Sequence, residues 1–240
     1  MKKSFKVEKT ADGLTARAYK KERGSLGAIA KKELLLSASS YVYLFALLGV
    51  LTIIPSYPAI VGIGYFMLAV FTADGIRRSN RDVEFTATLP IERKDVVTGR
   101  MLFLAVIEAL FFVVSAVAAA VADFVISPAG NPVGLDPNLA FFGVALIGTG
   151  AFNAIYLAGF FKTGYKAGVP VIKGLIAFLL VYAVAEGLCF VPQIKTVLDG
   201  IGGAYLWVRA IVFAVGAAAY VGLSAIGVCV ARKRFEKVSL

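Results

Sequence analysis

Six apolar runs, near residues 36–54, 58–73, 101–123, 139–161, 171–191 and 205–230, limit how this chain can fold more than any other feature. A helix of roughly 20 apolar residues crosses about 30 Å of hydrocarbon, and in lipid each backbone N–H and C=O must find its partner inside the protein. Helices meet that demand one segment at a time. With 59% apolar residues in 240, the chain reads as an all-α polytopic membrane protein with six transmembrane helices. Pro55-Ser56-Tyr57-Pro58 predicts a tight hairpin between the first two, the second of which is short.

Charge supplies the orientation. Twenty-three of the twenty-five Lys and Arg fall within 1–33, 74–100, 162–173 and 231–240, leaving only Lys195 and Arg209 elsewhere. Basic residues are retained on the cytoplasmic side of short loops, so both termini and the loops at 74–100 and 162–170 are expected there. The loops at 127–138 and 192–204 then face outward. The first thirty residues lack the continuous apolar core of a secretory signal, so the first run is expected to remain in the mature protein. Residues 1–24 read as a flexible basic tail, and 25–240 as the membrane domain. The net charge of +10 is a topology signal and an attraction to anionic lipid headgroups. It is spread over four flanking segments, which argues against a nucleic-acid partner. Cys189 and Cys229 are expected near opposite faces of the bilayer, too far apart for a disulfide.

Several chemistries are missing. No GxxxxGK[ST] phosphate loop occurs, so ATP hydrolysis would need another polypeptide. With no histidine, the common imidazole base and the usual zinc sites are lost, and neither a catalytic residue nor a metal site is expected. Polar residues inside the runs are the candidates for a pathway, because a charge in hydrocarbon is costly unless paired, protonated or wetted. Glu108, about two turns into the third run, either lines an inner cavity or bonds a neighbouring helix, with Arg100 or Lys162 as possible ion partners. Glu186 reads as a gate near the exit or as an interfacial carboxylate. Asn153 is expected to bond another helix or the substrate, and Asp123 to pair with Arg209. Ala214, Ala218 and Gly222, with Gly143, Gly148 and Gly150, mark close helix packing, within the subunit or between subunits.

One polar block breaks the apolar pattern: Arg77 to Arg100 holds ten charged residues between the second and third runs. Within it, Thr88 suits a helix cap, Pro90 a first turn and Glu92 the positive end of a helix dipole. Leu89, Pro90, Ile91, Glu92, Arg93, Lys94, Asp95, Val96 and Val97 thus read as a short helix, with Gly99 allowing a bend before the third span at Met101. Such a helix either docks a cytoplasmic partner or anchors the loop among headgroups.

The stretch TATLPIERKDVVTGRML, Thr86 to Leu102, resembles the segment after the second membrane helix of bacterial ABC-2 type transporter permeases. Leu89, Pro90, Arg93, Lys94, Val96, Val97 and Arg100 occupy the matching places, with Arg100 where a Lys is usual. IAKKELLLSASSYVYLF, Ile29 to Phe45, is similar to the amphipathic elbow that leads into their first span. The resemblance is closest to the branch that exports peptides or antimicrobial compounds with a separately encoded ATPase. It implies that residues 89–97 form a coupling helix seated in an ABC ATPase, with ATP and Mg bound by that partner and no cofactor bound here. It also implies a second permease copy or paralogue, and a multi-pass protein of the bacterial plasma membrane. The rivals are an ion-gradient-driven carrier using Glu108 or Glu186, and a non-transporting scaffold or sensor subunit.

Overall fold

The computed structural model describes residues 4–10, 13–19, 26–37, 40–55, 57–88, 91–122, 133–200 and 203–238. Five of its helices are long and apolar enough to cross a membrane, and they account for five of the six apolar runs. In chain order the helices are α1 (Leu26–Lys32), α2 (Ser40–Ile53), α3 (Ala59–Ser79), α4 (Asp82–Thr88), α5 (Arg93–Val121), α6 (Leu139–Lys162), α7 (Gly168–Leu188), α8 (Pro192–Leu198) and α9 (Leu206–Phe235). The five long ones are α3, α5, α6, α7 and α9.

The first run is built differently. Of α2, only Ser40–Leu44 is α-helical, and Phe45–Ile53 winds as a 3-10 helix. The larger rise of that winding stretches the fourteen residues to roughly 25 Å, just under the hydrocarbon thickness. At the amino end, Ser4–Thr10 (β1) and Gly13–Tyr19 (β2) pair as an antiparallel hairpin, Ser4 opposite Tyr19 and Thr10 opposite Gly13. A flexible tail was expected over these residues.

The helices around the polar block also differ from expectation. Residues 93–98 are not a separate coupling helix: they are the opening turns of α5, which continues unbroken through Gly99. A β-carbon on Gly99 would lie 2.4 Å from Ile29 Cγ2, so this glycine lets α1 lie against α5. The short separate helix is α4, and Thr88 closes it instead of capping the next helix. Leu89 and Pro90 lie outside the described residues. Likewise α3 continues six residues past the expected end, through Asp74 and Arg77. Hydropathy marks where lipid contact begins. A helix whose charges are paired inside the protein can extend beyond that line.

Packing divides the bundle in two. The most extensive contact joins α6 to α9, followed by α6 to α7, while α2, α3 and α5 pack mainly on one another. Contacts across the seam between these halves are sparse. Within the second half, glycines set the spacing: a β-carbon on Gly216 would lie 2.2 Å from the Gly143 carbonyl oxygen, and one on Gly143 would lie 2.6 Å from that of Val212. The backbones touch there, the close approach that small residues permit in membranes. Ala214, Ala218 and Gly222, expected to mark packing, are all exposed on the outward face of α9. Asn138 starts α6 by accepting from Ala140 N at 2.8 Å and Phe141 N at 3.1 Å.

This contrast yields a test. Gly216→Ala forces α9 off α6 and is expected to cost about 1–3 kcal/mol, read as a lower thermal midpoint in detergent. Gly222→Ala, with nothing within 4 Å of the added carbon, leaves the midpoint unchanged or raises it.

Candidate functional site

The polar side chains of the bundle gather at the seam, on two levels. The first lies at the end that carries α4, here termed the loop end. Asp74 and Arg77 sit one turn apart on α3, Asp82 on α4, Arg100 two turns into α5, Lys32 at the end of α1 and Glu33 directly after it. Arg77 donates from Nε to Asp82 at 3.1 Å and pairs through Nη1 with Glu33 at 3.1 Å. Lys32 reaches Asp82 at 2.7 Å and also donates to Thr86. Arg100, with no exposed surface, donates from Nη2 to Asp74 and to the Tyr156 hydroxyl on α6, the latter at 2.8 Å, and stands 4.0 Å from Glu33. The Tyr156 hydroxyl donates in turn to Asp74 at 2.6 Å.

Three cations therefore face three carboxylates with almost no water. Their charges cancel. Burying an ion costs several kcal/mol unless its partner and its hydrogen bonds are in place, so these contacts form together or not at all. Aromatic rings close the site: the Arg100 guanidinium stands 4.6 Å from the centre of Phe103 and 5.5 Å from that of Phe160. Phe152, Tyr156 and Phe160, spaced by four on α6, stack with centroids 5.3 Å apart and hold the Tyr156 hydroxyl at the seam. At Asp82, burial pulls the carboxyl toward neutrality, but Arg77 and Lys32 outweigh it and hold it below the usual range.

A second link at the loop end involves the expected coupling residues. Arg93 Nη1 donates to the carbonyls of Phe235 at 2.8 Å and Val238 at 2.8 Å, capping the end of α9, and its guanidinium stands 5.4 Å from the Phe235 ring centre. Arg232 on α9 donates to Thr98 on α5 at 2.7 Å. Val96 and Val97 are buried and Ile91 packs against the same core. Glu92 and Lys94 pair at 2.7 Å with both side chains about half exposed, and Asp95 is half-buried. The first turns of α5 thus fasten to the last turn of α9, presenting Glu92 and Lys94 outward. On α4, Phe85 is also exposed, at 51%.

Further along the seam lies the second level. Glu108 on α5 accepts from Tyr220 on α9 at 2.6 Å and from Asn153 on α6 at 3.2 Å, while Asn153 also donates to Ser224 at 3.1 Å. Glu108 and Asn153 each read as lining a pathway or bonding a neighbouring helix, and the fold bonds them to each other; Arg100 and Lys162, the ion partners anticipated for Glu108, are not its partners. Beyond them a groove of about 560 Å³ lies between the halves. Glu186 does not line it. Its carboxylate accepts from Leu135 N at 2.7 Å and from Tyr182, fastening the segment before α6 to α7. Arg209 holds the turn after α8, donating to Val197 O at 2.9 Å and Asp199 O at 3.1 Å. Asp123, its expected partner, lies outside the described residues. Cys189 and Cys229 are both free.

This architecture, apolar helices with an ionic loop end, matches one family model. The model for ABC-2 family transporter proteins covers residues 28–229, most of the chain. The chain belongs to the ABC-2 transporter family. No curated protein and no solved structure matches it. As an ABC-2 permease it is a multi-pass membrane protein of a family whose membrane subunits are typically non-catalytic and associate with an ABC ATPase.

Two predictions follow from the ionic cluster of this permease. Asp74→Ala removes the nearest counter-ion of the buried Arg100 and is expected to cost about 3–5 kcal/mol, whereas Asp74→Leu with Arg100→Met recovers most of that loss in a double-mutant cycle of thermal stability. The second concerns pH. A carboxyl depressed in the folded state contributes stability above its ordinary value of about 3.9, and loses it as pH falls through the depressed value. Wild type should therefore exceed Asp82→Asn in stability at pH 7, with the gap closing only as the pH drops below about 4.

Proposed function

We propose that this chain is the membrane-spanning permease subunit of an ATP-driven exporter in the bacterial plasma membrane, crossing it six times with both termini in the cytoplasm. ATP and Mg belong to a separate ATPase docked at the loop end. A second permease copy or paralogue completes the pathway. The cargo class suggested by resemblance is amphipathic or peptide-like.

The observation that carries this reading is the continuity of α5 from the exposed Glu92–Lys94 pair into the hydrocarbon region. A partner pushing on that pair acts on a rigid 29-residue helix instead of a slack loop. Because Arg93 and Thr98 join α5 to the end of α9, the push reaches both halves of the bundle. ATP binding would draw two ATPase subunits together and tilt these helices outward at the far end; hydrolysis would reset them. A merely interfacial helix would have no need for such fastening.

The test uses the outward side chains. Phe85→Glu with Lys94→Glu is expected to insert normally and keep its thermal midpoint, while abolishing copurification of an ATPase from native membranes or its stimulation by cargo. Full stimulation in that variant contradicts docking at this surface. Transport that survives ATP depletion and collapses with an uncoupler would instead favour an ion-gradient carrier.

A further inference from the structure

We propose that the groove between α5 and the α6–α9 pair binds a lipophilic cation, its positive centre against the Glu108 carboxylate and its apolar body along the groove.

The geometry has three parts. Ala109, Val113 and Ala116 form one wall on α5, while Phe142 and Leu146 of α6 and Phe213 of α9 form the other. The small alanines leave a volume of about 560 Å³, within the range of pockets that hold compact organic ligands. At its loop-end floor are Glu108 and Tyr220.

Glu108 is the anomaly of this molecule. Its Oε2 accepts from Tyr220 and Asn153, but its Oε1 is buried with no hydrogen-bond partner, and so is Asn153 Oδ1. Among the described residues no Lys or Arg forms an ion pair with Glu108, whereas each carboxylate of the loop-end cluster has at least one. A carboxylate within hydrocarbon is stabilised most by a nearby positive charge. The groove beside it offers room for one, and Phe142, Phe213 and Tyr220 line that space with aromatic rings, a residue type that attracts cations.

Depth selects the kind of cation. Glu108 lies seven residues past Met101, where the apolar run of α5 begins, about 10 Å along the axis from that boundary. A lipid amine held at the headgroup level does not reach that depth, but a compact organic cation with its own apolar shell does. As cargo recognition this inference rests on the permease reading; as a binding site it needs no ATPase.

The experiment compares tetraphenylphosphonium with tetraphenylborate, ions of nearly the same shape and opposite charge, on the purified chain in nanodiscs after subtracting protein-free discs. Wild type is expected to prefer the phosphonium, and Glu108→Gln, which can keep both hydrogen bonds, to lose about tenfold or more of that affinity. Ala116→Phe, which fills the groove and leaves the carboxylate intact, should weaken the phosphonium as well. Equal affinity for the two ions in wild type overturns the proposal even if a variant fails to insert. So does unchanged phosphonium affinity in either variant. These binding results stand apart from the permease reading, which fails separately if no ATPase associates.

Discussion

A guanidinium with no exposed surface governs this bundle. Arg100 sits among Phe103, Tyr156 and Phe160, where water cannot compensate for a missing partner. Its desolvation is tolerable only when Asp74 and the Tyr156 hydroxyl are both in place. Asp74 is held by α3, Tyr156 by α6 and Arg100 by α5, so one side chain requires three helices to meet. Arg77, through Glu33 and Asp82, adds α1 and α4 to the same demand. The loop end is stiff because its charges leave it few alternatives.

Elsewhere along the seam the restraint weakens. In the second half, α6 and α9 are joined backbone to backbone through Gly143 and Gly216, so that pair moves as one piece. Across the seam there are the Glu108–Asn153–Tyr220 bonds, the edge-on contacts of Phe66 with Phe152 and Phe178, centroids 5.0 and 6.1 Å apart, and beside the groove the contact of Phe112 with Phe142 at 6.3 Å. Two halves tied by ion pairs at one end and meeting through a few side chains and a groove elsewhere have the form of a hinge. The exposed surface of α4 and early α5 lies at the clamped end, where a partner's force would be applied.

Much of this was legible in the sequence. Runs of apolar residues located α3, α5, α6, α7 and α9, because the length needed to cross hydrocarbon is a strong constraint on any helix. The same signal misplaced their ends: Leu89 to Val97 reads as a separate helix with a bend at Gly99, since hydropathy falls wherever charges appear, paired or not. The pairing of Asp74 with Arg100 could not be read from spacing, because the two are on different helices. A signal was nevertheless present in Asp74 and Arg77, opposite charges one turn apart at the end of an apolar run, and in Phe152, Tyr156 and Phe160 recurring every four residues. For Glu108 and Asn153 the sequence marked two costly polar groups, and the fold bonds one to the other while leaving Glu108 Oε1 and Asn153 Oδ1 without hydrogen-bond partners. The small residues of α9 misled for a plain reason: a period of four identifies a face, not its neighbour. Ala214, Ala218 and Gly222 face outward, while Gly216 makes the contact.

The hinge is open to direct measurement. Spin labels at Lys94 and Lys233, both exposed at the loop end, and in a second sample at Ala116 and Phe213 across the groove, would report the two ends of the seam in the ATPase-bound complex. The account predicts that ATP changes the groove distance while the loop-end distance holds. A loop-end pair that separates with ATP, or a groove pair that does not respond, would contradict it.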